Sequence, residues 1–338
     1  MRKLHVLLSL TVLLLGLPTA AARAADNGSW SVYPVASKIA ARPYFTFSAE
    51  PGQTLTDKVS VRNRTARPLT FRLYAADAYN TARDGGFAVR TRNEPMRGVG
   101  AWARPAKSRI TVPGHRTLTV PFTLRVPDGA EPGDHPGAIV ALDEHVDHGS
   151  GSLALGVQRA VGARVYLRVG GPTLPALSVG DLRISHHQPL VPGLGDSTAT
   201  VSYTLRNTGN VTLHPKAELT ARGLFGRTLL DRELTRVPAE LLPGQRVRLT
   251  ESWRGAPQFD RADVTLTASA QDSRESASAG FLALPWLPVA LVSAAGALTG
   301  VLLVRARRAR ARRSAPGRPS PPERPTPSRL RSSPSARP

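Results

Sequence analysis

The sequence predicts an all-β chain, two tandem immunoglobulin-like β-sandwiches followed by a single transmembrane helix. Three observations carry this expectation. Alternating apolar residues run in short stretches between Pro-Gly and Asn-containing turns, and Gly and Pro are plentiful (29 and 30 of 338 residues). One order of strand, terminal Asn and later Pro-Gly turn occurs twice. A charge-free apolar run then ends in a burst of arginines.

From the N-terminus, Arg2 and Lys3 precede an apolar run from Val6 to Leu17, and Ala22-Arg23-Ala24 supplies small residues for cleavage. Residues 1–24 therefore read as a secretory signal peptide, with Ala25 opening the mature chain. Phe45 and Phe47 lead to Pro51-Gly52, Val59 and Val61 end at Asn63, and Leu69, Phe71 and Leu73 resume the alternation. Leu118, Val120, Phe122, Leu124 and Val126 form the cleanest period-two run. Pro121 falls on its outward face, which predicts an edge strand or a bulge. Val165, Leu167 and Val169 stop at Gly170-Gly171-Pro172, the expected end of a first sandwich over 25–172.

The second sandwich, 173–280, repeats the plan. Val201, Tyr203 and Leu205 end at Asn207-Thr208-Gly209-Asn210, and Leu242-Pro243-Gly244 precedes Val247 and Leu249. The first half has Val112-Pro113-Gly114 before Leu118 in the same place. Residues 80–109 show little periodicity and read as a hairpin or long loop, the expected place for a binding surface.

Residues 281–304 contain no charge and are long enough to cross a bilayer core of ~30 Å. Trp286 suits the headgroup interface at one end. Arg305, Arg307, Arg308, Arg310, Arg312 and Arg313 mark the other end as cytoplasmic and attract anionic lipid. The expected location is the plasma membrane, single-pass, with the N-terminal part extracellular. Residues 305–338 are Pro-, Ser- and Arg-rich and read as a disordered cytoplasmic tail.

The net charge of +21 is concentrated at the ends: the tail holds eleven Arg against one Glu, and the leader holds Arg2, Lys3 and Arg23. The basic character is thus largely topology, and no nucleic-acid partner is expected. With no cysteine, disulfides, thiolate metal sites and thiol nucleophiles are excluded. There is no Gly-x-Ser-x-Gly elbow, P-loop or dinucleotide fingerprint, so a non-enzymatic chain without a cofactor is expected. Asp143, Glu144, His145, Asp147 and His148, with Asp134 and His135 upstream, lie between Pro136-Gly137 and Gly149-Ser150-Gly151 or just before them. They read as a polar hairpin loop, and no metal site is assigned. His186 and His187 are strand neighbours that point to opposite faces.

The first half resembles the peptidoglycan-binding domain of WxL-interacting proteins, a Gram-positive cell-surface family. The resemblance lies in Trp30-Ser31-Val32-Tyr33-Pro34, Pro51-Gly52 before Val59-Ser60-Val61-Arg62-Asn63, and Phe71-Arg72-Leu73-Tyr74-Ala75-Ala76-Asp77-Ala78. Trp102, Val126-Pro127-Asp128-Gly129-Ala130 and Pro132-Gly133-Asp134-His135-Pro136-Gly137-Ala138-Ile139 follow in order. It covers about Trp30 to Gly171. It implies attachment to peptidoglycan through the first domain, with the second contacting another surface protein, although 173–280 carries no distinctive motif of the family. No Trp has a Leu two positions on, so the chain is not itself a WxL protein.

For a glycan ligand, aromatic faces and hydrogen-bonding side chains single out Tyr74, Tyr79, Arg83 and Trp102. Trp30 and Trp102 have core packing as the competing role. The alternative function is a chaperone-like assembly partner that offers a sheet edge to another exported protein.

Overall fold

A computed structural model describes residues 25–36, 41–148 and 156–313. The signal peptide and the tail beyond residue 313 lie outside these residues, as do the side chains of Asp147 and His148.

The first sandwich begins with β1 (Ala25–Asp26), β2 (Trp30–Pro34), β3 (Phe45–Ala49), β4 (Thr54–Asn63), β5 (Leu69–Asn80) and β6 (Phe87–Val89). A single helical turn, α1 (Val99–Trp102), leads into β7 (Ala103–Pro105), β8 (Arg109–Val112), β9 (Thr117–Arg125) and β10 (Gly133–Asp143). The short pair β11 (Asp147–His148) and β12 (Gly156–Val157) precedes β13 (Ala160–Val169). One sheet has the order β1-β2-β4-β9-β7, and the other β3-β13-β10-β5-β6 with β8 also on β5. All pairs are antiparallel except β3 with β13.

The alternation read from the sequence is the core. Val120, Phe122 and Leu124 of β9 point inward with Val59 and Val61, opposite Phe71, Leu73, Val165 and Leu167. Trp30 fills the centre, fully buried, its ring 5.2 Å from that of Phe71. Pro121 sits in β9, whose neighbour β7 is only three residues long. Its carbonyl accepts from the Ala106 N–H at 2.9 Å. N–H and C=O of one strand residue face the same side, so the missing donor falls where β7 runs out.

The second sandwich comprises β14 (Leu177–His187), β15 (Thr198–Asn207), β16 (Lys216–Arg222), β17 (Thr228–Leu234), β18 (Arg246–Arg254), β19 (Asp260–Ala270) and β20 (Ser273–Ala283). Its sheets are β14-β15-β18 and β17-β16-β19-β20. Tyr203, Leu205, Leu219, Leu249 and Leu266 form its core with many alanines. His186 stacks on Phe281 and bonds Ser197 at 3.0 Å, and burial lowers its pKa.

The repeat has a physical basis. Asn63 and Asn207 are fully buried at the ends of β4 and β15. The Asn63 amide donates to Arg67 O and Val112 O, while its oxygen accepts from the Thr65 N–H. Asn207 does the same with Val211 O, Leu241 O and the Gly209 N–H. Each Asn closes its own turn and pins the segment that leads into the later Pro-Gly turn.

The apolar helix α2 (Trp286–Arg313) starts later than the sequence pattern implies, because residues 281–283 finish β20. Asp260 pairs with Ala283, Arg261 with Leu282 and Ala262 with Phe281. α2 is the one helix among the described residues long and apolar enough to cross a membrane.

Candidate functional site

Residues 80–109 do not form a free loop. β5 and β6 make a hairpin whose tip, Thr81 to Gly86, docks on the second sandwich. Asn80 donates to Gly85 O and Glu240 O, both at 2.7 Å, and accepts from the Leu242 N–H at 2.9 Å. Gly85 is required there: it has φ +71°, and a Cβ would meet Pro238 at 2.7 Å. The segment expected to bind a ligand therefore serves first as an internal clamp.

Other ties complete the junction. Asp134 holds Arg168 through two bonds of 2.7 and 3.1 Å and also accepts from the Thr212 N–H at 2.8 Å. Asn210 donates to Pro132 O and Pro172 O and accepts from the Leu174 N–H. Gly133, φ +118°, lets the chain pass Asn210 O, which a Cβ would meet at 2.2 Å. Glu240 accepts from Tyr166 at 2.9 Å and Arg164 at 3.1 Å. Arg164 lies 4.2 Å over the Phe87 ring, and Tyr44 meets Tyr166 edge-on. Burial pushes the Tyr166 phenol up to about 12; Arg164 opposes this rise and Glu240 adds to it.

Beside this junction runs a cleft of about 450 Å³, lined by Tyr44, Thr46, Ser48, Arg168, His214 and Gln271 among others. Its border is the edge of β3. Among the described residues β3 pairs only with β13. Ala49 O accepts from the Gly170 N–H, so Phe45, Phe47 and Ala49 turn their backbone groups to β13. By alternation, Thr46 and Ser48 present theirs to the open side, and both side chains are exposed. The strand, Phe-Thr-Phe-Ser-Ala, has no charge, no Pro and no bulge.

Most of the other edges carry charge, proline, a bulge or very few residues, as free edges usually do. β7 has Arg104 and Pro105, and β2 ends in Pro34 with β1 alongside. β17 carries Asp231, Arg232 and Glu233, and β18 carries Arg246, Arg248 and Arg254. β14 is bulged between Gly180 and Arg183, whereas β20 has Arg274 and Glu275 at its start and no charge from Ser276 to Ala283, with no cleft along that stretch among the described residues.

The four residues singled out for a glycan do not converge. Tyr74 and Tyr79 are five positions apart on β5 and so point to opposite faces. Tyr74 lines a groove of about 700 Å³ with Arg72, Arg92, Arg109 and Gln158, and burial raises its pKa. Arg83 is exposed in the hairpin tip. Trp102 is half-buried against the core and lies 4.7 Å from the His135 ring. The acidic residues near β10 have local partners: Glu144 pairs with Arg72 and Arg109, and Asp143 accepts from the His145 N–H. Among the described residues no group of three His, Asp or Glu could hold a metal. The β3 edge was missed because Phe45 and Phe47 read as one more strand; the lack of charge between Arg42 and Glu50 was the available signal.

No family model matches the chain, and no curated protein matches its sequence. Solved structures with similar architecture include a chaperone–tip adhesin complex of CFA/I fimbriae (10% identity, 77% of this chain and 100% of that one, TM-score 0.35). The class 5 fimbriae chaperone CfaA (10% identity, 75% and 100%, TM-score 0.31) is another. So is the CsuC–CsuE chaperone–tip pre-assembly complex of Acinetobacter baumannii (8% identity, 66% and 90%, TM-score 0.33). Scores of this size leave the architecture resting on the pairings and cores given above: a two-sandwich immunoglobulin-like protein with an apolar C-terminal helix.

Proposed function

We propose that this chain is a membrane-tethered, non-enzymatic ectodomain that binds another exported protein by adding an extended segment of it to β3. The observation that carries this reading is the uncharged, unguarded edge of β3 beside a cleft. Backbone groups at Thr46 and Ser48 supply pairing, and the cleft receives alternate side chains of the added strand. The anchor is α2: from Trp286 to Val304 it is about 28 Å long at 1.5 Å per residue, with arginines beyond. Trp286 at one end of the helix and arginines at the other support an orientation with the sandwiches outside the cell.

The test is a photo-crosslinking residue at Ser48 in the full chain on cells. A discrete protein adduct, lost in the Thr46→Pro variant, is the expected result. Pro at 46 removes an outward N–H without touching the bonds to β13. No protein adduct, or one indifferent to Thr46→Pro, sinks the reading.

Peptidoglycan attachment, which the family resemblance implies, keeps one observation in its favour: the polar groove beside Tyr74. Co-sedimentation of the full chain with sacculi, compared with Tyr74→Ala, tests it. Pelleting that the substitution does not reduce removes that groove from consideration.

A further inference from the structure

Outside α2, nine large apolar residues are exposed among the described residues: Tyr44, Val157, Leu174 and six more. Those six are Leu190, Leu194, Leu224, Phe225, Phe259 and Leu282. All six belong to one end of the second sandwich. The register puts them there: His187 pairs with Thr198, Thr198 with Arg254, Arg222 with Asp263, and Asp260 with Ala283. The loops 188–197, 223–227 and 255–259 therefore emerge together. They are also tied to one another. Gln258 accepts from the Gly193 N–H at 2.8 Å and donates to Gly195 O at 3.0 Å. Asp260 accepts from the Leu224 N–H at 2.9 Å and from Arg227 at 2.8 Å. The opposite end, with Asn210, Glu240 and Leu242, is the one docked on the first sandwich.

Phe225 is the sharpest case. Its side chain is completely exposed, and its backbone has φ +60°, a region that bulky residues avoid. The turn around it is closed by the Gly223 N–H to Arg227 O and the Gly226 N–H to Gly223 O. A well-bonded turn thus holds an aromatic ring out into solvent in a strained conformation, with no packing in return. An outlier of that kind points to a function. Five exposed apolar groups on neighbouring loops, with Leu282 beside them at the end of β20, exceed the scatter of single surface residues. Arg222, Arg227, Arg254 and Arg261 are exposed around them, against Asp196, Asp260 and Asp263; Arg227 pairs with Asp260 and Arg261 with Asp263.

The chain itself identifies what meets this end. β20 finishes here at Ala283, and α2 begins at Trp286. Three peptide steps span at most about 11 Å. If α2 crosses a bilayer, the tip cannot be far from the headgroups. We infer that this tip is a lipid-binding surface: Leu224, Phe225, Phe259 and their neighbours enter the interface of the outer leaflet while Arg222 and Arg254 meet anionic headgroups. The inference rests on the membrane reading of α2 proposed above. It adds that the loop tip of the second sandwich itself touches lipid.

The native chain has no cysteine, so single spin labels report cleanly. Phe225→Cys, Phe259→Cys, Asp272→Cys and Leu298→Cys are labelled in the full chain and reconstituted in vesicles of phosphatidylcholine and phosphatidylglycerol. Collision with oxygen, which enters lipid, is compared with collision with a water-soluble nickel complex. Positions 225 and 259 are expected to lose nickel access and keep oxygen access, as 298 does, while 272 in the opposite turn stays open to nickel. Nickel access at 225 and 259 with 298 in lipid overturns the inference and leaves the anchor standing. Nickel access at 298 removes the anchor and the inference together. Loss of access to both reagents at 225 means burial against protein, a second copy included, and also overturns it.

Discussion

The two sandwiches share a frame and differ at their surfaces. Asn63 and Asn207 make equivalent buried bonds, and each core lies between two antiparallel-dominated sheets. The first core is aromatic, built on Trp30, Phe45, Phe71 and Phe122, whereas the second is aliphatic and alanine-rich around Tyr203. Outside, the first presents a neutral strand edge and polar grooves, and the second presents apolar loop tips. The contrast teaches that folding devices recur while edges and loops, free of the core's constraints, take on separate tasks.

The shared device is the place to break the comparison hardest. Asn63→Ala and Asn207→Ala each strip bonds from two carbonyls, both buried at Asn207 and one buried and one part-buried at Asn63. Each should cost about 3 kcal/mol, at ~1–2 kcal/mol per group. Urea unfolding of the full chain in detergent measures both; a loss under about 1 kcal/mol in one alone would mean the two turns are not equivalent. Next comes the junction. Asn80→Ala removes bonds to Glu240 O and from the Leu242 N–H. It should cost about 2 kcal/mol and split one unfolding transition into two. A single transition would show that the remaining ties couple the halves without it.

The cores differ in a testable way as well. Tyr203 OH is buried with no partner among the described residues, as is Trp30 Nε1. Tyr203→Phe deletes only the hydroxyl and should be neutral or stabilising by up to about 1 kcal/mol. Trp30→Phe also removes ring volume and should destabilise. A destabilising Tyr203→Phe would reveal an ordered water at that hydroxyl.

The smallest effect is on pH. The Tyr166 phenol is raised in the folded state, so the fold favours its protonated form. Its contribution is complete below the usual tyrosine range near 10 and declines as pH rises through about 12. Tyr74 and Tyr203 are shifted in the same direction. Tyr166→Phe should therefore flatten the alkaline decline in melting temperature in part. An unchanged slope between pH 10 and 12 would contradict the burial of the Tyr166 phenol.

Much of this was legible in the chain. Val120, Phe122 and Leu124 alternate because strand neighbours face opposite sides, and the structure buries them all. The repeated terminal Asn marked the turns because an amide can donate and accept at once. The start of α2 was misjudged by a few residues because Phe281 and Leu282 satisfy a strand as readily as a helix, and only pairing with Ala262 and Arg261 decided it.

Local pattern thus determined the class, the two-sandwich order and the anchor-length apolar helix, since period and turn chemistry act over a few residues. The tertiary structure alone decided which edge stays open, that the 80–86 hairpin clamps the two sandwiches, and that six scattered apolar residues meet at one tip. Those facts depend on which strands become neighbours, and no local periodicity encodes contacts such as Asn80 with Leu242 across 162 positions.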